Sequence, residues 1–318
     1  MKESGKSREA GKTKWIVALV VAFLVCFSLV VMVVNSRKPE PLELSDYDRN
    51  VKGAAFVRAN LVLLEQMIDN WLPNDLFWPT IFLDNMPNFQ LGQLELVRYN
   101  LRVLRDELTR LRTTDKIDRL AEEAFTAISN DPRRWWFPSA ESKWKLAHDK
   151  LDSFYGNLLA GKSTFYARAD NLATLMTEYA SLMGGINTRL MNAPGDIRAV
   201  LIDEEDAGGS GGGVEVVQVD IPWSEIDDNF YYAQGAAYAL LASFKAIRVD
   251  FHDILVKKNA LKLLDKVMES LQRCDFEPLI IFNGDPESIF ANHSLNLSGV
   301  FNDARQKISS LIVALNQG

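Results

Sequence analysis

An all-α fold, with an N-terminal transmembrane helix followed by an antiparallel helical bundle, is what the sequence predicts. Three observations carry it. Trp15 to Val34 run for 20 residues without a charge. Several later stretches repeat apolar residues at alternating steps of three and four, the period of a helix with one buried stripe. Strict alternation between turn signals, the mark of a strand, is almost missing.

Twenty helical residues rise about 30 Å, the hydrocarbon thickness of a bilayer. A cleaved signal peptide has a shorter apolar core and a small-residue exit, and Val34-Asn35-Ser36 is a poor one. The expectation is therefore an uncleaved anchor. Lys2, Lys6, Arg8, Lys12 and Lys14 precede it, whereas Arg37 and Lys38 are soon followed by Glu40, Glu43, Asp46 and Asp48. The positive-inside rule then puts residues 1–14 in the cytoplasm as a tail and everything after the span outside it. Ala18, Ala22 and Cys26 recur every four residues on one face, a small-residue stripe through which two copies are expected to dimerise.

Residues 35–50, with Pro39 and Pro41 among acids, read as a short tether, and 51–318 as the outer domain. Its first helix carries Ala54, Val57, Leu61, Leu64, Ile68 and Trp71. A second carries Leu94, Val97, Leu101, Leu104, Leu108 and Leu111, continuing through Ile117, Leu120 and Ala124. A third runs from Phe165 to Leu190. Further helices are expected at 139–159, 223 to about 256, 261–271 and 301–315, and Val214 to Ile221 is the best candidate for a strand. Four acids leading into six Gly/Ser residues at 203–213 cannot bury apolar surface and predict a mobile loop. Because each half around it offers only a few single-striped helices, one shared core is expected.

The 318 residues hold 35 Lys and Arg against 42 Asp and Glu, a net charge of −7, which argues against a nucleic-acid partner. After the span the balance is 30 basic to 40 acidic. Two cysteines make no cysteine metal cluster, and Cys274, alone outside the span, can form no internal disulfide. Gly156-Asn-Leu-Leu-Ala-Gly161-Lys162-Ser163 matches the P-loop pattern letter for letter, but Trp144, Ala147, Leu151, Phe154 and Leu158 before it have helical spacing, not the strand that such a loop requires. Gly161 reads as a helix C-cap and Ser163 as the next N-cap, so no nucleotide is expected. His148, His252 and His293 are too scattered for a metal or a triad, and no cofactor is expected.

Three polar segments remain: Asp84, Asn85 and Asn88 in a long aromatic connection from Trp78 to Phe89 that reads as packed; Arg168, Asp170 and Asn171; and Asn292 with His293. Each precedes or begins an expected helix. Asp, Asn, Arg and His are costly to bury unpaired, so at least two segments are expected to meet in one hydrogen-bonded cluster, with Arg168 facing Asp84 or another carboxylate.

The phrases LDNMPN (83–88), FYARADNL (165–172) and FANHSL (290–295) are where the chain resembles proteobacterial single-span inner-membrane proteins grouped only as a domain of unknown function. The resemblance covers nearly everything after the anchor, and the loop at 203–213 looks like a local insertion. It implies a Gram-negative inner-membrane protein with a periplasmic domain and supplies no activity. The function expected is an interaction or scaffold factor that binds other envelope proteins. The alternative is a periplasmic enzyme or ligand-binding module acting on cell-wall or lipid material through carboxylates such as Asp84, Glu141, Asp170 and Asp228.

Overall fold

The computed structural model describes all residues except 1–2, 46, 77, 113, 192–195, 202–213, 220–224, 279–280, 282–291 and 318; for 3–13, 196–201 and 214–219 it describes the backbone alone. The expected acidic-glycine loop at 203–213 thus lies outside the described residues. The described chain is helical, with one two-stranded ribbon.

Helix α1, Glu3–Asn35, contains the apolar stretch Lys14–Asn35, 22 residues of which none is buried by the rest of the chain. It is long and apolar enough to cross a membrane. The segment after it is not a free tether. Leu42 is buried, Lys245 Nζ donates to the Leu42 carbonyl at 2.8 Å, and the Tyr238 hydroxyl donates to the Glu40 carbonyl at 2.8 Å. Lys38 forms ion pairs with Asp275 and Glu277, both at 3.3 Å. Residues 38–42 are therefore strapped down on the domain.

Helix α2, Ala54–Asp69, starts from Gly53 at φ +88° with no side-chain cap of its own. The Asp250 carboxylate serves instead, accepting from Phe56 N at 2.7 Å and from the Gly53 and Ala55 amides. Helix α3, Asn85–Val103, is capped by Asp84 and runs into a π-helical turn at Leu104–Leu108. The expected continuation through Leu111 and Ile117 fails there. The helix ends at Thr109 with Leu104 and Leu108 still buried, Leu111 and Ile117 lie beyond it and are exposed, and a new helix, α4, Arg119–Ile128, starts from Asp118, whose side chain accepts from Leu120 N and Ala121 N.

Helix α5, Ala140–Leu159, opens at Ser139 as its spacing predicts. Helix α6, Ala169–Met191, starts four residues after Phe165, because Tyr166 N is drawn to the Leu108 carbonyl at 2.7 Å and holds the link extended. Strands β1, Asp196–Leu201, and β2, Val214–Val219, pair antiparallel with Asp196 opposite Val219, so the expected strand has a partner. Helix α7, Ile226–Asp250, gives way at Phe251 to short α8, His252–Lys257; α9, Leu261–Gln272, and α10, His293–Asn316, follow, the last starting eight residues before the predicted Phe301.

Hydrogen bonds between helices fix their directions. Lys150 to Glu123 (2.7 Å) and Trp144 to Asn130 (2.8 Å) set α4 against α5; Ser298 to Asn187 (2.7 Å) and Arg305 to the Ala180 carbonyl (3.1 Å) set α10 against α6. Both pairs run in opposite directions. The most extensive pair, α3 with α7, runs parallel. A methyl on Gly235 would lie 1.8 Å from the Phe89 carbonyl oxygen, and one on Gly92 would lie 2.0 Å from that of Tyr232. A simple up-and-down order is therefore not what the chain adopts. One continuous apolar core takes in residues from Leu42 to Leu315, on both sides of the ribbon.

Backbone touching backbone leaves nothing flexible to yield. Gly235→Ala and Gly92→Ala should each cost at least about 1–3 kcal/mol in denaturant unfolding, whereas Gly185→Ala, on the open face of α6, should be neutral or stabilise by up to about 1 kcal/mol. Equal effects at all three would refute the close approach.

Candidate functional site

The polar residues singled out in the sequence occupy different places. Asp84 accepts from Asn85 N at 2.9 Å, and Asn88 Nδ2 donates back to the Asp84 carbonyl at 3.0 Å and across to Asp228 Oδ1 in the first turn of α7. Arg168 pairs with Asp170, two residues on, and donates to the Leu111 carbonyl at 2.9 Å; Asn171 Nδ2 donates to the carbonyls of Tyr166 (2.9 Å) and Glu107 (3.2 Å). This second group ties the start of α6 to the far end of the α3 segment. The 19 residues of α3 separate it from Asp84 by about 28 Å. The expected meeting of Arg168 with Asp84 therefore does not occur, because α6 starts where α3 finishes. Asn292 caps α10 by accepting from Leu295 N at 3.0 Å, with His293 as the first helical residue.

The parallel pairing of α3 and α7 does gather acids from distant parts of the chain. Their first turns lie side by side, bringing together Asp84, Asp227 and Asp228. Burial pushes the Asp228 carboxyl up to about 6, aided by the charges of Asp227, Asp84 and Glu225 and opposed by Arg133. Burial raises Asp227 as well, with Asp84 adding to it. A half-buried acid titrating near neutrality next to a second one can exchange a proton at physiological pH. Of the four carboxylates expected to do chemistry, Asp84 and Asp228 share this end, Glu141 accepts from Asn74 Nδ2 at 2.9 Å, and Asp170 is engaged by Arg168.

A second polar feature lay hidden in apolar helix patterns. Asn100 Nδ2 donates to Asn60 Oδ1 (2.8 Å) and Ser243 Oγ (2.9 Å), while the Tyr179 hydroxyl donates to Asn100 Oδ1 at 2.6 Å. All four side chains are buried, and they come from α2, α3, α6 and α7. Burial also pushes the Tyr179 phenol well above its ordinary range. With every member partnered and no opening to solvent, the network specifies packing.

A third feature is a cleft of about 330 Å³ between the strap and helices α7 and α9, lined by Lys38, Glu43, Gln234, Tyr238, Lys245 and Asp275. Gln234 Nε2 donates to the carbonyls of Cys274 (3.0 Å) and Phe276 (2.7 Å), and its Oε1 is buried without a partner.

With this geometry in place, comparison with known proteins gives one match. A family described as an uncharacterized protein conserved in bacteria, DUF2333, fits residues 8–318. The chain belongs to this family. No curated protein and no solved structure matches it. Because the match runs from within α1 to the C-terminus, the apolar helix and the helical domain together make up the family's unit.

Other sequence motifs resolve into local structure. In the P-loop match, Gly156 is inside α5, Gly161 takes φ +69°, and the amides of Lys162 and Ser163 both bond the Asn157 carbonyl, a helix C-cap. Ser163 does not cap α6; its hydroxyl donates to Asp118 at 2.8 Å and so braces α4. Asp250 and Asp253 diverge around His252, the first capping α2 and the second pairing with Lys52 at 2.9 Å. Among the described residues no group of three or more His, Cys, Asp or Glu side chains has the geometry to hold a metal ion.

Two measurements test these assignments. Asn100→Ala strips partners from Asn60, Ser243 and Tyr179 and should cost about 3 kcal/mol or more; adding Tyr179→Phe should cost less than the sum of the single changes, and strict additivity would refute the network. Asp228 should behave oppositely. A carboxyl raised from 3.8 to about 6 on folding takes up a proton in the folded chain first, so its contribution is favourable at pH 4 and is lost as pH rises through about 6. Asp228→Asn keeps the acceptor for Asn88 and removes the charge, so it should raise the thermal midpoint at pH 7.5 by about 1–3 °C and leave it unchanged at pH 4.

Proposed function

We propose that this family member is a single-pass protein of the cytoplasmic membrane whose helical domain lies in the periplasm and acts as an interaction or scaffold factor for other envelope proteins. The observation that carries this reading is the pairing of an unburied 22-residue apolar helix with a strap that holds the domain down next to it. Such a chain displays a fixed helical surface at a set height above the bilayer. The basic flank of α1 supports the orientation, and Ala18, Ala22 and Cys26 offer the face for self-association within the bilayer.

One observation favours a second reading as a ligand-binding module acting on lipid or cell-wall material. The cleft beside the strap carries both Lys38 and Lys245, and Gln234 leaves an acceptor there without a donor.

A reporter fused after Gly318 should be active only in the periplasm, and alkaline extraction should leave the full-length chain in the membrane; release of a fragment beginning near residue 37 would refute the anchor. Crosslinking in intact membranes followed by mass spectrometry separates the two roles. A reproducible protein partner supports the scaffold, and a copurifying small molecule lost on Gln234→Leu supports the ligand module.

A further inference from the structure

Large apolar side chains stay exposed on the domain, and half of those among the described residues collect in two loops. Leu76, Trp78, Ile81 and Phe82 precede α3, with Phe82 67% exposed; Trp135, Trp136 and Phe137 lie between α4 and α5, with Phe137 85% exposed. The connection from Trp78 onward, expected to be packed, is thus turned outward. The loops are bound to each other at their bases. Trp71 Nε1 donates to the Pro132 carbonyl at 3.0 Å, and Asn74 Nδ2 donates to the Arg134 carbonyl at 3.3 Å. Large aromatic and aliphatic groups exposed on two loops joined at their bases mark a surface that is covered in the cell.

What covers it follows from where the first loop sits. The Trp78 ring lies 6.4 Å from that of Phe27 in α1, at 35° to it. Phe27 is eight residues before the end of the apolar stretch at Asn35, about 12 Å along the helix axis. A loop standing beside that turn shares whatever medium surrounds it. Trp78, a large apolar body, meets hydrocarbon at that depth if α1 spans the bilayer. Arg133 and Arg134 precede the second loop and are both exposed.

We infer that the two loops form a membrane-docking surface inserted into the leaflet through which α1 emerges, so that the domain lies on the bilayer at that end. The inference rests on α1 crossing the membrane, and its occupant is lipid. Apolar insertion, not charge, is the driving force, since Asp84, Asp227 and Asp228 lie close to Arg133 and offset its attraction for anionic headgroups.

The test uses the full chain with Cys26→Ala and Cys274→Ala, reconstituted in vesicles of phosphatidylethanolamine and phosphatidylglycerol. An environment-sensitive fluorophore is attached in turn through Phe82→Cys, Phe137→Cys, Val25→Cys and Lys162→Cys. Position 162 is the control, past the far end of the 20-residue α5, about 30 Å away. Lipids spin-labelled near the headgroup should quench positions 82 and 137 at least two-fold more than position 162, and lipids labelled deep in the chain should quench position 25. Quenching at 25 with 82 and 137 no different from 162 would overturn the docking surface, assign the patch to a protein partner, and leave the anchor standing. No quenching at 25 would remove the anchor and the docking surface together. All four substituted positions are exposed, and circular dichroism of each labelled chain checks that the helices are retained.

Discussion

The contact between the backbones of α3 and α7 sets the geometry of this domain. Gly92 and Gly235 each face a carbonyl of the opposite helix with no room for a methyl group. Once two parallel helices are held that close, Asn100 and Ser243 come into hydrogen-bond range, and Asn60 and Tyr179 close around them from α2 and α6. Parallel neighbours also require a long return path. Here that path contains α4, α5, α6 and the ribbon: α4 packs on α3, α5 on α2 and α4, and α6 on α10, α7 and α3.

Parallel alignment has an electrostatic result as well. Both helices begin at the same end, and the positive ends of their peptide dipoles lie side by side. Asp84 at the cap of one and Asp227 and Asp228 in the first turn of the other are individually well placed for a helix start. Asp227 and Asp228 are half buried next to exposed Asp84, and the three charges repel. The acid cluster is therefore a by-product of correct capping on two helices that share an origin, and the raised proton affinity of Asp227 and Asp228 follows from their burial and this proximity.

The helices were legible because their stripes are local: the 3-4 spacing from Ala54 to Trp71 and from Phe165 to Leu190 needs no knowledge of the neighbours. The failures share a cause. Leu111 and Ile117 keep the period in sequence, yet the helix ends at Thr109 after a π turn at 104–108, and no local signal announces such a turn. Gly92 and Gly235 carry no mark in sequence of the close contact they allow. Of the candidate site, Asp84 precedes a helix as expected, whereas Asn88 lies inside the first turns of α3, and its partner, Asp228, stands 140 residues away. Arg168 was misjudged because helix direction, which decides who faces whom, is not written in periodicity. Arg133-Arg134-Trp135-Trp136-Phe137 carried a readable signal, two cations followed by three aromatics, which was passed over because it fits no helix.

The strap made by residues 38–42 removes slack. A flexible tether lets a domain tumble and search a volume; a tether hydrogen-bonded through Glu40 and Leu42 to α7 makes span and domain mechanically continuous. Transmembrane helices tilt to match the thickness of the bilayer around them. If α1 crosses a membrane as proposed, its tilt acts through the strap as a torque on α7, and local bilayer thickness becomes a mechanical input to the helical domain.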